Sequence, residues 1–307
     1  MAKISVIGAG NVGSDLARRI LERDIADVAL IDIVEGLPQG RALDLTQAGG
    51  VEGYKSKITG SNSMADMAGS DVVVVTAGLA RKPGMSRDDL LLKNADTVGG
   101  VVDKIKEYAP NSIIILVTNP LDVMTYLTLK KTGFGPKRVM GMAGQLDTAR
   151  MKAFIAMGLN VHPTDVEAMV LGSHGDLMVP VASRTNVKGK PLSKLMPKEQ
   201  IDAIIKRTQD GGAEIVSLLK TGSAFYAPAA STADMVESII KDQKKIIPSC
   251  CYLSGEYGLN DICIGVPAKL GRKGVEEIVK IDLTNEELEA LRKSADSIRE
   301  NFPKLKF

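Results

Sequence analysis

Near the start of this 307-residue chain, Gly8-Ala9-Gly10-Asn11-Val12-Gly13 sets three glycines at the spacing G-x-G-x-x-G. The apolar run Ile4–Ile7 precedes it, and Asn11–Arg23 follows with Val12, Leu16 and Ile20 four residues apart, the period of one helix face. A strand that ends in such a turn and opens a helix leaves few choices of fold. The first glycine permits a tight turn, the second lets backbone approach a pyrophosphate, and the third lets the helix pack on the sheet. The helix start then offers unpaired N–H groups and the positive end of its dipole to phosphates. Asp32 closes a second apolar run, Val28–Ile33, nineteen residues after Gly13. An acid at that distance is placed to bond a ribose 2′-hydroxyl. Its charge repels a 2′-phosphate, so NAD is expected over NADP.

The β-branched runs Val72–Thr76 and Ile113–Thr118 do not alternate, as expected of strands buried on both faces of a parallel sheet. Ser86–Tyr108 between them has helical content, and a short strand is expected near Val139–Met142. This alternation predicts a doubly wound α/β domain over residues 1–142. Beyond it, helices are expected at Thr148–Met157, Lys198–Lys220, Ala227–Lys241 and Thr284–Asn301, the last with Thr284 as its cap. Strands are expected at Val166–Leu171 and from Val179, with Ile246–Leu253 and Asp261–Val266 as antiparallel neighbours. Grouped strands predict an α+β domain over 143–307, packed against the first.

Composition removes several function classes. A net charge of +2 argues against nucleic-acid binding driven by bulk charge. Two His and three Cys cannot supply a usual structural zinc site, and no metal is expected. The odd, low Cys count fits a reducing compartment. With no secretory leader pattern and no apolar run of membrane-spanning length, a cytoplasmic protein without membrane association is expected. The three thiols are expected to be buried and free.

Four further segments carry candidate chemistry. Residues 78–89, GLARKPGMSRDD, form a polar loop with Arg81, Lys82 and Arg87, suited to an active-site lid or to plain solvation. In VTNPLD, 117–122, Asn119 follows a buried strand; it either bonds a substrate oxygen or caps the next helix, and spacing does not decide. In GQLDTAR, 144–150, Asp147 and Arg150 share a helix face, which also suits a simple ion pair. In LGSHGD, 171–176, His174 lies in a glycine-lined turn at a strand end, whereas His162, before Pro163, reads as a loop residue.

Taken in order, GAGNVG, Asp32, ARKPGMSRDD, VTNP, LDTAR and GSHGD resemble the lactate/malate dehydrogenase superfamily, most closely its malate dehydrogenases of lactate-dehydrogenase-like type. The resemblance runs through the whole chain. It implies a Rossmann doubly wound parallel sheet followed by an α+β substrate-binding domain. The implied activity is reversible hydride transfer between NAD and a 2-hydroxy/2-oxo acid, with homodimers or homotetramers expected. His174 would be the general acid and base, and Asp147 would fix its tautomer. Arg150 would hold the substrate carboxylate through a planar fork, and Arg87 would polarise the carbonyl. Asn119 would assist in the substrate and nicotinamide pocket. Gly8, Ala9, Gly10, Asn11, Val12, Gly13 and Asp32 would bind the dinucleotide, with Asn94, Val117, Thr118 and Asn119 as further cofactor contacts.

Arg81 stands where lactate dehydrogenases of the superfamily carry a neutral Gln, and segment 221–228, TGSAFYAP, lacks their pattern. An Arg there would pair with a second carboxylate, as in oxaloacetate. With pyruvate it would stay unpaired in a closed site, at a cost of order 3–5 kcal/mol. Malate and oxaloacetate are therefore the expected substrates. A lactate dehydrogenase is disfavoured by Arg81, and a non-catalytic dinucleotide sensor needs no Asp147–Arg150–His174 set. A metal- and NAD-dependent glycosidase would need a Cys/His pair that the sequence does not assemble.

Overall fold

The computed structural model describes residues 1–79 and 85–306. The first half runs β1 (Lys3–Ile7), α1 (Asn11–Glu22), β2 (Asp27–Ile31), α2 (Leu37–Glu52), β3 (Ile58–Ser61), β4 (Val72–Val75), α3 (Arg87–Tyr108), β5 (Ile113–Leu116), α4 (Leu121–Thr132) and β6 (Val139–Gly141). These six strands pair in parallel in the order β3-β2-β1-β4-β5-β6. The order reverses direction beside β1, so the carboxyl ends of β1 and β4 open a crevice there. Val72, Val73, Val74 and Val75 are all fully buried, as non-alternating runs require. Each such side chain contributes about 1.5–3 kcal/mol on removal from water.

The second half runs α5 (Gly144–Leu159), β7 (Val166–Glu167), β8 (Val170–Gly172), β9 (Met178–Pro180), β10 (Asn186–Val187), β11 (Lys190–Pro191), α6 (Lys198–Leu219), α7 (Tyr226–Ile240), β12 (Lys245–Ser254), β13 (Asn260–Gly271), β14 (Gly274–Ile278) and α8 (Asn285–Arg299). Strands β12 and β13 form a long antiparallel ribbon, and β12 joins the first-half sheet at one pair, Cys250 with Gly141. One continuous sheet therefore links the two halves, and one buried core draws residues from both. A smaller core lies under α5 and α6. No helix among the described residues is long and apolar enough to cross a membrane.

The structure departs from the sequence reading at one expected strand and at three elements not foreseen. The run Val166–Leu171 is two strands: β7 pairs with β10 in a small three-stranded sheet, and β8 pairs with β13 and β9 in the large one. An apolar run records burial but not a change of partner. Helix α2, strand β3 and hairpin strand β14 carry too weak a pattern to stand out; α2 buries only Pro38 and Ala42. Thr284 does cap α8, accepting from the Glu287 N–H while Glu287 reaches back to the Thr284 N–H.

Candidate active site

The glycine turn is shaped by backbone contacts. Gly8 has φ +107°, a region that L side chains rarely enter. A Cβ on Gly13 would lie 1.9 Å from the Gly8 carbonyl oxygen, whereas nothing lies within 4 Å of one on Gly10. The turn is thus closed on its sheet side and open at Gly10. Helix α1 begins there with no side-chain cap, so its first N–H groups have no partner within the helix. Asp32 accepts the Ala9 N–H at 2.7 Å through Oδ2 and the Val34 N–H at 2.9 Å through Oδ1. It braces the turn from the end of β2 and stays partly exposed. An open concave turn, free N–H groups and an acid at the next strand end suit the pyrophosphate and ribose of a dinucleotide.

Asp147, Arg150 and His174 meet from two elements. Asp147 and Arg150 lie one turn apart on α5, and His174 sits in the turn between β8 and β9. His174 Nδ1 is 2.9 Å from Asp147 Oδ2, and Arg150 Nη1 donates to Asp147 Oδ1 at 3.0 Å. The ion pair expected of an i,i+3 spacing and the His–Asp pair therefore share one carboxylate. Asp147 is 1% exposed. Burial pushes the His174 pKa down, but the Asp147 charge and hydrogen bond push it up further, so the net shift is above the ordinary 6.5. With Nδ1 given to Asp147, Nε2 is the ring atom free to exchange a proton. Arg150 Nε is buried without a partner among the described residues.

A cleft of about 380 Å³ joins these groups to the cradle, lined by Val12, Val117, Asn119, Arg150 and His174. Asn119 does not cap α4: the cap position is Pro120, with no side-chain bond, and the Asn119–Pro120 peptide is cis. Its side chain is exposed toward the cleft. Thr118 is buried, with its hydroxyl donated to the Ala77 carbonyl at 2.7 Å. The Val117 N–H is held by the Val75 carbonyl. Asn94 is fully buried; its amide accepts from the Leu79 N–H and donates to the Leu79 and Asn119 carbonyls. Its side chain holds the two loops that flank the cleft.

Arg87 begins α3 and is 80% exposed, paired with Asp176 at 3.1 Å on the rim. Arg81 and Lys82, with the middle of the expected lid, lie outside the described residues. His162 is a surface cap that accepts the Thr164 N–H. Cys250, Cys251 and Cys263 are free and buried.

The VTNPLD segment supplies a further residue that its spacing does not mark. Asp122, in the first turn of α4, is 4% exposed and accepts the His174 main-chain N–H at 2.8 Å. Burial lifts its pKa to about 6, against the opposing pull of His174 and the Cys250 thiol. An acid in a first turn ordinarily complements the helix dipole, so nothing local marks this one as special.

Two family models match the chain: the lactate/malate dehydrogenase NAD binding domain over residues 2–141, and the lactate/malate dehydrogenase alpha/beta C-terminal domain over 144–306. A malate dehydrogenase of Methanosarcina mazei is 53% identical over 305 residues, covering 99% of each chain. The solved malate dehydrogenase of Picrophilus torridus superposes with TM-score 0.96 at 49% identity, covering 99% of this chain and 97% of that one. A Cryptosporidium parvum lactate dehydrogenase, solved with lactic acid and nicotinamide adenine dinucleotide, superposes with TM-score 0.94 at 42% identity, covering 97% and 96%. The chain belongs to the lactate/malate dehydrogenase family.

Proposed function

We propose that this chain is an NAD-dependent malate dehydrogenase that interconverts malate plus NAD with oxaloacetate, NADH and a proton. The observation that carries this reading is the buried Asp147–His174 pair, with Arg150 beside it, on a cleft that reaches the glycine turn. Bound NADH supplies the hydride for the substrate carbonyl carbon. Asp32 accepts from a ribose hydroxyl with lone pairs left over from its two backbone bonds, and its charge disfavours a 2′-phosphate. Asn94 serves the cofactor indirectly, by holding the Leu79 and Asn119 backbone in place.

Arg150 binds the carboxylate next to the reacting carbon, using guanidinium donors that Asp147 leaves free. Protonated His174 donates from Nε2 to the carbonyl oxygen during reduction and takes the proton back during oxidation. Asp147 stabilises the imidazolium and keeps Nδ1 protonated in the neutral ring. Arg87, released from Asp176, stabilises charge developing on the carbonyl oxygen. Arg81, read from sequence alone, selects the second carboxylate.

The test is loss of NADH absorbance with oxaloacetate, then with pyruvate, without added metal. Oxaloacetate is expected to be preferred by about 10³ in kcat/KM or more. Arg81→Gln is expected to lower the oxaloacetate value sharply and raise the pyruvate value. Equal use of both acids by the unmodified protein overturns the malate assignment, and an unchanged preference in Arg81→Gln removes Arg81 as the selector.

A further inference from the structure

His174 is held by two carboxylates rather than one. Asp147 takes the ring, from α5. Asp122 takes the main chain, from α4, which belongs to the first half of the molecule and follows the strand whose loop lines the cleft. We propose that Asp122 is a positioning residue for His174: it fixes the histidine backbone to the cofactor-side half and sets a second negative charge beside the ring. This inference rests on the functional reading above.

Three observations carry it. The hydrogen bond has the 2.8 Å length usual for an N–H to a carboxylate and spans 52 residues of sequence. The carboxylate is almost fully buried, and its Oδ1 has no hydrogen-bond partner among the described residues. Beside the His174 N–H, only the weak Cys250 thiol faces this carboxylate, and burying a carboxylate on so few donors is costly. The Asp122 charge also favours the protonated form of the His174 ring. The ionisable groups that face Asp122 are His174 from the β8–β9 turn, Asp147 from α5, Cys250 from β12 and Cys263 from β13. Both thiols are buried and pushed upward in pKa, so they stay neutral. Asp122 itself ionises at about 6. It therefore bears its charge over the range in which His174, shifted above 6.5, gives up its proton.

The chain has only two histidines, and His162 is exposed and remote in role, so it serves as an internal reference. Ring C–H signals of the whole unliganded chain would be followed by NMR against pH. Asp122→Asn retains an acceptor oxygen but removes the charge. It is expected to lower the His174 midpoint by about 0.5 pH units or more while His162 stays still. The pH profile of oxaloacetate reduction should move the same way. Asp122→Ala removes the anchor as well and is expected to lower kcat more than about tenfold, with NADH affinity nearly unchanged. An unmoved His174 midpoint in Asp122→Asn overturns the proposal, and so does a folded Asp122→Ala with full kcat. The NMR result decides even where Asp122→Ala does not fold. Persistent turnover in His174→Asn would instead defeat the functional reading, and the ring titration keeps the two failures apart.

Discussion

In the glycine turn, Gly8 to Gly13, the shape comes from backbone: a positive φ at Gly8, a carbonyl 1.9 Å from where a Gly13 Cβ would lie, and unpaired N–H groups at the start of α1. At His174 the reverse holds. Side chains from α4 and α5 converge on one histidine, Asp122 on its main chain and Asp147 on its ring, and both charges favour the protonated ring against the pull of burial. At Gly8 and Gly13 the turn has no room for a side chain. The histidine cluster needs particular side chains, each held by another. A substitution in the turn should therefore damage binding and packing together, whereas one in the cluster should damage chemistry and leave the cofactor site whole.

The sharpest test of that division is His174→Asn. It is expected to cut turnover by about 10²–10⁴-fold, the usual range for a general acid–base group, while NADH affinity measured by fluorescence titration changes little. A parallel loss of NADH binding would break the division. Arg150→Lys keeps the charge but loses the planar fork, and should lower kcat/KM for oxaloacetate by about 10²-fold, again with NADH binding intact.

Protonation offers a change without mutation. Because His174 sits above its ordinary pKa, its protonated form persists past pH 6.5 and then declines. Oxaloacetate reduction, which needs that proton, should hold steady below the His174 pKa and fall by about tenfold per pH unit above it, with chemistry limiting. Malate oxidation, which needs the neutral ring, should rise over the same interval. A flat profile for both directions would remove His174 as the proton carrier.

On the other side of the comparison, Gly13→Ala should weaken NADH binding by about tenfold or more and lower Tm by about 3–10 °C, because a backbone carbonyl has to move. Arg87→Ala sharpens the contrast within the cluster. Its pair with Asp176 is open to solvent, so Tm should change by less than about 2 °C while kcat for reduction still falls.

Much of this was legible in the residues. The parallel strands showed because both their faces are buried, so Val72–Val75 and Ile113–Leu116 are apolar without alternation. Helix α4 shows only as the helix that Asn119 would cap, and its extent does not, for a related reason: ten of its twelve residues are buried, so no polar face marks its period. Asp147, Arg150 and His174 could be singled out by motif, but the sharing of one carboxylate between Arg150 and His174 could not. Asp122 belongs to the VTNPLD segment, yet nothing in its spacing points to a role. Its partner is the backbone of a residue 52 positions away, and backbone partners leave no mark on sequence. Spacing leaves Asn119 between bonding a substrate oxygen and capping the next helix; in the fold Pro120 holds the cap position.

By itself, the sequence determined the glycine turn and its acid, the succession of buried strands, and the Arg81 charge on which the substrate assignment rests. Each depends on residue type at a local spacing. The tertiary structure alone decided that one sheet runs through both halves, joined at Gly141 and Cys250, and that two carboxylates from different helices hold one histidine. Those facts depend on distances across the fold, and such distances follow from packing rather than from spacing along the chain.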